Sequence, residues 1–433
     1  MIKNKKINVL KSIKLFEIVM IFYSLFEEFY FGLSFGKTLT WLIIYLAGML
    51  ISTKKFQMGK FGKQILGMIG AILVQMFFTT IIRGADLYEI VLSNRWMFYL
   101  LIYFVLVDYV RTEKEWNNVI FIFTLFSLIL SILVICQGYL KSYKGNIWIL
   151  NQSAQDIVTN SLSAWRFGRI RLPLCSGLRM LSYTYSFTNI LVTRQTQNRV
   201  FHIFNMFITG LSLFLFDGSR MMFLILMAIS ALSIFYGLYQ RHKSVRQILR
   251  GLKISVGCVI AYFAFRTIMD YNFLLRMIGV SVQEGSWYAR VGAYWYFLKM
   301  AFNPPIVGIG MLSETSTGTA FSLLHGPDRI FYASDVGIVG TLAITGWIVT
   351  GIYIYIIIKA IRLSRRNKNE NYWTVSMSMS ALLIFTLITL SMLTRGMLPM
   401  FPMCLIMVEN DSKYGFNKQN NVLKTYNNAL IGR

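Results

Sequence analysis

Charge is scarce in this chain and acid scarcer still: of 433 residues, 14% are charged and 56% hydrophobic, and 18 Asp and Glu face 43 Lys and Arg. That composition excludes an ordinary soluble domain, because long apolar blocks separated by short basic connectors leave little water-compatible surface. Histidine is nearly missing. His202, His242 and His325 are far apart in sequence, with no HExxH, and the four cysteines, Cys136, Cys175, Cys258 and Cys404, form no CxxC. Zinc chemistry and a disulfide framework therefore lack their usual residue spacing. Neither GxGxxG nor GxxxxGK[ST] occurs, so nothing indicates nucleotide-driven work, and no cofactor or metal is expected.

The alternating segments of a spanning β-barrel are missing as well, whereas apolar runs of roughly 17 to 25 residues suit transmembrane helices. The expected fold is an all-α integral membrane protein, one polytopic domain over residues 1–433. About twelve spans are expected, near 15–33, 38–52, 65–82, 96–110, 118–137, 176–193, 200–216, 219–239, 252–269, 331–358, 373–393 and 397–409. The first apolar stretch contains Glu17, Glu27 and Glu28 and has no small-residue cleavage site, so it reads as a retained anchor. Residues 138–175 and 270–330 form two long extracytoplasmic connections, the larger between spans nine and ten, and together make a cap; residues 410–433 form a cytoplasmic tail.

With both termini cytoplasmic, the inner connectors hold 27 of the 43 basic residues, 17 of them Lys and 10 Arg. This satisfies the positive-inside bias and accounts for the net charge of +25 through topology and attraction to anionic lipid in the bilayer. Nucleic acid is not an expected partner, because the basic runs are short and not enriched in interleaved aromatics. The other 16 basic residues comprise 12 Arg and 4 Lys. Topology is indifferent between the two types, whereas a planar guanidinium matches phosphate oxygens with two donors, so an Arg-rich outer side suggests recognition of a phosphate or carboxylate. Pairing with local acids is the competing explanation for about half of them.

One stretch concentrates the question. LFLFDGSRMMFLILM, residues 213–227, keeps Asp217 and Arg220 in an otherwise apolar run. Charge in hydrocarbon is costly. In the expected topology the eighth span starts here on the outer side, where Arg220 and unpaired helix N–H groups together suit an anion. Snorkelling with a local Asp217–Arg220 pair is the simpler alternative.

Three segments in order, GSRMMFLILMAISAL, SWYARVGAYWYFLKMAFNPPIVGIGM and SDVGIVGTLAITGW, resemble the membrane-bound O-antigen ligase and polysaccharide polymerase superfamily over about residues 205–350. The resemblance implies a metal-independent glycosyltransferase acting at the outer face of the bacterial cytoplasmic membrane on undecaprenyl-diphosphate-linked oligosaccharide, alongside a chain-length regulator and a flippase. It places the family's diphosphate-holding arginines on Arg220 and Arg290. It also places acceptor chemistry on Asp335 or His325. The family's ligase histidine is followed by Asn, whereas His325 is followed by Gly326, and SDVGIVG is closer to the polymerase form. From the residues alone, Arg290 is equally an amphipathic-helix charge beside aromatic rings, and Asp335 equally a helix cap. Trp287, Tyr288 and Trp295 offer flat faces to sugar rings, although anchoring at the membrane interface is the commoner role of such side chains.

Overall fold

The computed structural model describes residues 14–16, 18–23, 26–32, 58–145, 147–159, 165–166, 169–192, 196–217, 220–241, 285–303, 306–312, 319–326, 330–366, 370–389 and 397–410. Expected spans two and nine and the cytoplasmic tail from residue 411 lie outside them. The described part is mostly helical. Helices are labelled from α1, Gly62–Arg83, followed by α2, Leu87–Ser93, and, after a 3-10 turn, α3, Ile102–Tyr109. Next come α4, Glu113–Tyr143, and the short α5, Gln152–Thr159, then a hairpin of β1, Trp165–Arg166, and β2, Arg169–Ile170. α6 is Ser176–Val192, α7 is Thr196–Ser212 continued by a π turn through Asp217, and α8 is Arg220–Arg241. The remaining helices are α9, Gly285–Ala301, α10, Thr319–His325, α11, Gly337–Arg366, α12, Glu370–Thr389, and α13, Met400–Asn410.

Four helical stretches, Gly62–Arg83, Glu113–Tyr143, Arg199–Asp217 and Ala333–Arg366, are long and apolar enough to cross a membrane. The bent pair Leu87–Ser93 and Arg95–Tyr109, with a 55° change of direction, makes up to five. α8, α12 and α13 contain shorter apolar helices. The surface agrees with this. Val74, Phe77 and Ile81 on α1 are 54, 55 and 61% exposed, an arrangement suited to hydrocarbon rather than water.

Local sequence explains several boundaries. Thr112 and Glu115 form a reciprocal capping box at the start of α4, and Asp86 accepts the Tyr88 N–H at the start of α2. Gly84 ends α1 in the left-handed conformation, its N–H returning to Thr80 O. α4 runs to Tyr143, so the first long connection begins several residues later than position 138.

The bundle has two polar ends. At one, Lys14 and Arg111 both pair with Asp108, while Tyr103 and the Lys60 N–H donate to Glu409. The antiparallel pair α1 and α11 is joined there by Lys359 Nζ on Gln64 Oε1 at 3.0 Å, and midway by Gln75 Nε2 on Ile344 O at 3.3 Å. The other end carries Arg83, Arg171, Arg290 and Asp335. There the main core is supplemented by two smaller ones. Leu150, Ala154, Val158, Ile170 and Leu172 pack on Val134 and Phe216, and Phe297, Ile309, Leu324 and Phe331 pack on Val336 and Ala343. The described parts of both long connections thus pack onto the bundle.

Candidate functional site

The site end is organised by a break in α11. Gly346 has φ 68° and ψ −177°, which interrupts the helical ladder and frees carbonyl groups that hydrocarbon could not satisfy. The segment after α9 fills the gap. Ile309 N–H donates to Ala343 O at 2.6 Å and Gly310 N–H to Ile344 O at 3.2 Å. Arg83 Nε donates to Ile309 O at 3.0 Å, Met311 N–H to Thr79 Oγ1 at 3.0 Å, and Asn94 Nδ2 to Met311 O at 3.0 Å. A side chain at Gly346 would place its Cβ 2.0 Å from Ile306 O, so the close approach requires glycine on steric grounds too. The VGIGM motif of the sequence is therefore a backbone plug, and it anchors the C-terminal side of the helix that carries Arg290.

Arg290 lies in the second turn of α9, and Asp335 lies in the 3-10 turn Ala333–Val336 that leads into α11. Their side chains stand 4.0 Å apart, Arg290 Nε to Asp335 Oδ2, with 32 and 42% of each exposed. Several contacts impose this approach. Tyr294 OH donates to Ile388 O at the end of α12, and a Cβ at Gly292 would lie 2.8 Å from the Phe331 ring. Gly337, at φ 54°, passes so close to α12 that a Cβ would lie 2.3 Å from Leu387 O, and Gly340 faces Ala333 O in the same way at 2.0 Å. The two glycines of SDVGIVG thus fold the turn that presents Asp335. Burial raises the pKa of the Tyr294 hydroxyl and nearby Arg290 lowers it, the first effect being the larger, so the hydroxyl remains a neutral donor at ordinary pH.

His325 ends α10 and is buried, its ring against Phe321 and Tyr332. Its Nδ1 is 3.1 Å from Phe331 O, while Phe331 N–H donates back to His325 O at 3.0 Å. A carbonyl only accepts, so Nδ1 carries hydrogen, and in the neutral ring the lone pair sits on Nε2. The ring ties the end of α10 to Phe331, which packs in the same small core as Val336 of the Asp335 turn.

Within residues 213–227 the structure gives Asp217 a partner from another helix, Arg179 of α6. Asp217 is buried at the end of the π turn, and its Oδ2 is 3.2 Å from Arg179 Nη2, with side-chain exposures of 2 and 0%. Arg179 also donates to Leu172 O, Leu174 O and Ser212 Oγ at 3.2, 3.1 and 3.1 Å. This enclosed network is structural. It ties Leu172 and Leu174 to Ser212 and Asp217 at the π turn, just before α8 begins at Arg220. The Arg220 side chain, like those of Trp287 and Tyr288 in the first turn of α9, lies outside the described residues. Trp295 is 40% exposed on the same helix.

Sequence reasoning missed Arg171. Its Nε donates to Asp217 O at 3.0 Å, at the end of the π turn that precedes α8. The signal available was the excess of arginine in the first long connection, which carries Arg166, Arg169 and Arg171. Among the described residues, no three His, Cys, Asp or Glu side chains are grouped as a metal site. The arrangement offers guanidinium charge, one partly exposed carboxylate and a backbone-tethered imidazole. Those groups can hold an anion and orient or accept a proton. The chain matches no protein-family model and no curated protein sequence.

Proposed function

We propose that the protein is a polysaccharide polymerase, a metal-independent glycosyltransferase that joins undecaprenyl-diphosphate-linked oligosaccharide units at the outer face of the bacterial cytoplasmic membrane. In this reading the chain has about twelve spans, both termini are cytoplasmic, and a flippase and a chain-length regulator work beside it. The observation that carries the reading is the meeting of Arg290 and Asp335, brought from separate helices to 4.0 Å at the end of the bundle where α8 begins with Arg220.

The chemistry follows from charge. Attack by an acceptor hydroxyl on the anomeric carbon breaks the bond to the lipid diphosphate, and negative charge grows on the departing oxygen. Arg220 and Arg290 stabilise it with fixed donors, and Asp335, or His325 through Nε2, orients the hydroxyl and takes its proton. A half-exposed pair at 4.0 Å contributes little to stability, roughly 0 to 1 kcal/mol, so Arg290 exchanges Asp335 for a phosphate oxygen at small cost. Trp287, Tyr288 and Trp295, all on α9, offer stacking faces for the sugars.

A lipid-linked sugar flippase is the second reading, favoured by the interrupted helix at Gly346, since broken helices often build transport sites. Against it, the freed carbonyls of Ala343 and Ile344 are occupied by Ile309 and Gly310 rather than left to a ligand. A ligase would use the same donor site with a different acceptor. The cellular test is polymer length: Arg220→Lys and Arg290→Lys should each accumulate normally yet yield single or few repeat units, because lysine keeps the sign but not the two-pronged geometry. Full-length polymer from either variant at normal abundance would remove that arginine from the mechanism.

A further inference from the structure

The turn that presents Asp335 begins at Tyr332, whose backbone is extended at φ −124° and ψ 122°. Side chains alternate sides along extended backbone, and the two residues here part accordingly. Phe331 is buried against α9 at Gly292, while Tyr332 turns outward and is 45% exposed. Asp335 N–H donates to Tyr332 O at 3.1 Å, which is the three-residue bond of a 3-10 turn. Such a turn has three residues per revolution, so side chains three apart share one edge, about 6 Å from each other at a rise of about 2 Å per residue. The Tyr332 ring and the Asp335 carboxylate therefore stand side by side, and Arg290 Nε, 4.0 Å from that carboxylate, completes the row.

The Tyr332 ring is held from within. It meets the His325 imidazole in a T-shaped contact with centroids 4.9 Å apart, and Phe321 covers the imidazole from a second direction at 4.4 Å. His325 is itself tied to Phe331 O, so the support behind Tyr332 is fixed at both the ring and the backbone. An aromatic ring backed in this way and nearly half exposed offers a flat, preorganised apolar face. The C–H face of a sugar ring packs on such a surface, while the sugar's hydroxyls need polar groups at the edge. Asp335 supplies an acceptor there and Arg290 supplies donors.

We propose that Tyr332 is the platform of the acceptor subsite: one sugar ring of the acceptor glycan stacks on its exposed face, which sets the attacking hydroxyl against Asp335. This rests on the polymerase reading for the ligand's class, an oligosaccharide. The spacing of about 6 Å along the turn is one that a single sugar ring with its hydroxyls covers. The same ring that carries the sugar also shields His325, which is 8% exposed, so the hydroxyl meets Asp335 first. A tyrosine that only anchors the chain at the membrane interface would act without regard to the carboxylate three residues on.

The test measures binding without requiring turnover. Full-length protein in lipid nanodiscs is titrated with undecaprenyl diphosphate, and the saturated complex is then titrated with the repeat-unit oligosaccharide, released by mild acid from the lipid-linked pool of the cells that make the protein. The unsubstituted chain is compared with Tyr332→Phe, which keeps the flat face, and Tyr332→Leu, which keeps apolar bulk without it. Tyr332→Phe should bind the oligosaccharide as the unsubstituted chain does, and Tyr332→Leu about five- to tenfold more weakly, as expected for a lost aromatic contact. Undecaprenyl diphosphate should bind all three alike. Equal oligosaccharide affinity in Tyr332→Leu makes the ring an interface anchor and overturns the proposal. So does a loss shared equally by both ligands, which would mean that Tyr332 only shapes the turn. An unsubstituted chain that binds undecaprenyl diphosphate but no oligosaccharide overturns the proposal and leaves the polymerase reading standing, whereas one that binds neither overturns both. If Tyr332→Leu fails to accumulate, Tyr332→Met decides by the same comparison.

Discussion

Arg179 is wholly enclosed and gives its donors to Leu172 O, Leu174 O, Ser212 Oγ and Asp217, whereas Arg290 keeps a third of its side chain exposed and stands 4.0 Å from Asp335. The two ion pairs therefore predict opposite responses. Asp217→Asn leaves a buried guanidinium without its counter-charge and should cost about 3 to 5 kcal/mol, read as a fall in thermal stability or cellular abundance. Arg290→Lys should change stability by no more than about 0.5 kcal/mol while removing most turnover. A stable Asp217→Asn protein would mean that the enclosed pair is not structural. Asp335 admits a finer test. Removing its charge relieves Arg290 of a competitor, so Asp335→Asn should leave lipid-diphosphate affinity unchanged or tighter while lowering kcat. Unchanged kcat would exclude the carboxylate from acceptor chemistry and reduce it to a feature of the turn.

At the level of elements, the break in α11 and the plug that fills it set the distance between Arg290 and Asp335. Gly346→Ala would force a side chain into a positive φ and against Ile306 O, so it should destabilise by more than about 1 kcal/mol and reduce turnover together. Preserved stability, measured by thermal unfolding in detergent, would show that the plug is loosely held. Much of this architecture was legible beforehand. The apolar run of α4 gave its span, and the stop signals Asn303 and Pro304 after SWYARVGAYWYFLKMAF agree with the end of α9 at Ala301, because helical patterning and its stop signals are local. The meeting of Arg290 with Asp335 was reachable only through the family resemblance, since 45 positions separate them. The Arg179–Asp217 pair was not legible: Asp217 has a nearer arginine in sequence at Arg220, and only the packing of α6 beside the π turn selects the farther one. Nor was the Gly346 break, because GW inside an apolar run reads as continuous helix until a second backbone is placed beside it.

For the whole molecule, the antiparallel run of α1 and α11 separates an end with Asp108 and Glu409 from an end with Arg290 and Asp335, and the function requires the second to face outward. In a cysteine-free background, cysteine at exposed Asp156 or Asn303 should react with an impermeant reagent in intact cells, while cysteine at Lys114 or Arg366 should react only after the membrane is opened. The reverse pattern would put the site in the cytoplasm, away from any exported glycan. The most direct test of the central claim is reconstitution: purified protein in proteoliposomes, supplied with lipid-linked repeat units, with glycan length and free lipid diphosphate measured together. Glycan should lengthen with one lipid diphosphate released for each linkage, and Arg220→Lys, Arg290→Lys and the double variant should lose similar, large fractions of the rate, as groups serving one anion do. Units that change leaflet without lengthening, or undiminished synthesis by the double variant, would contradict the account.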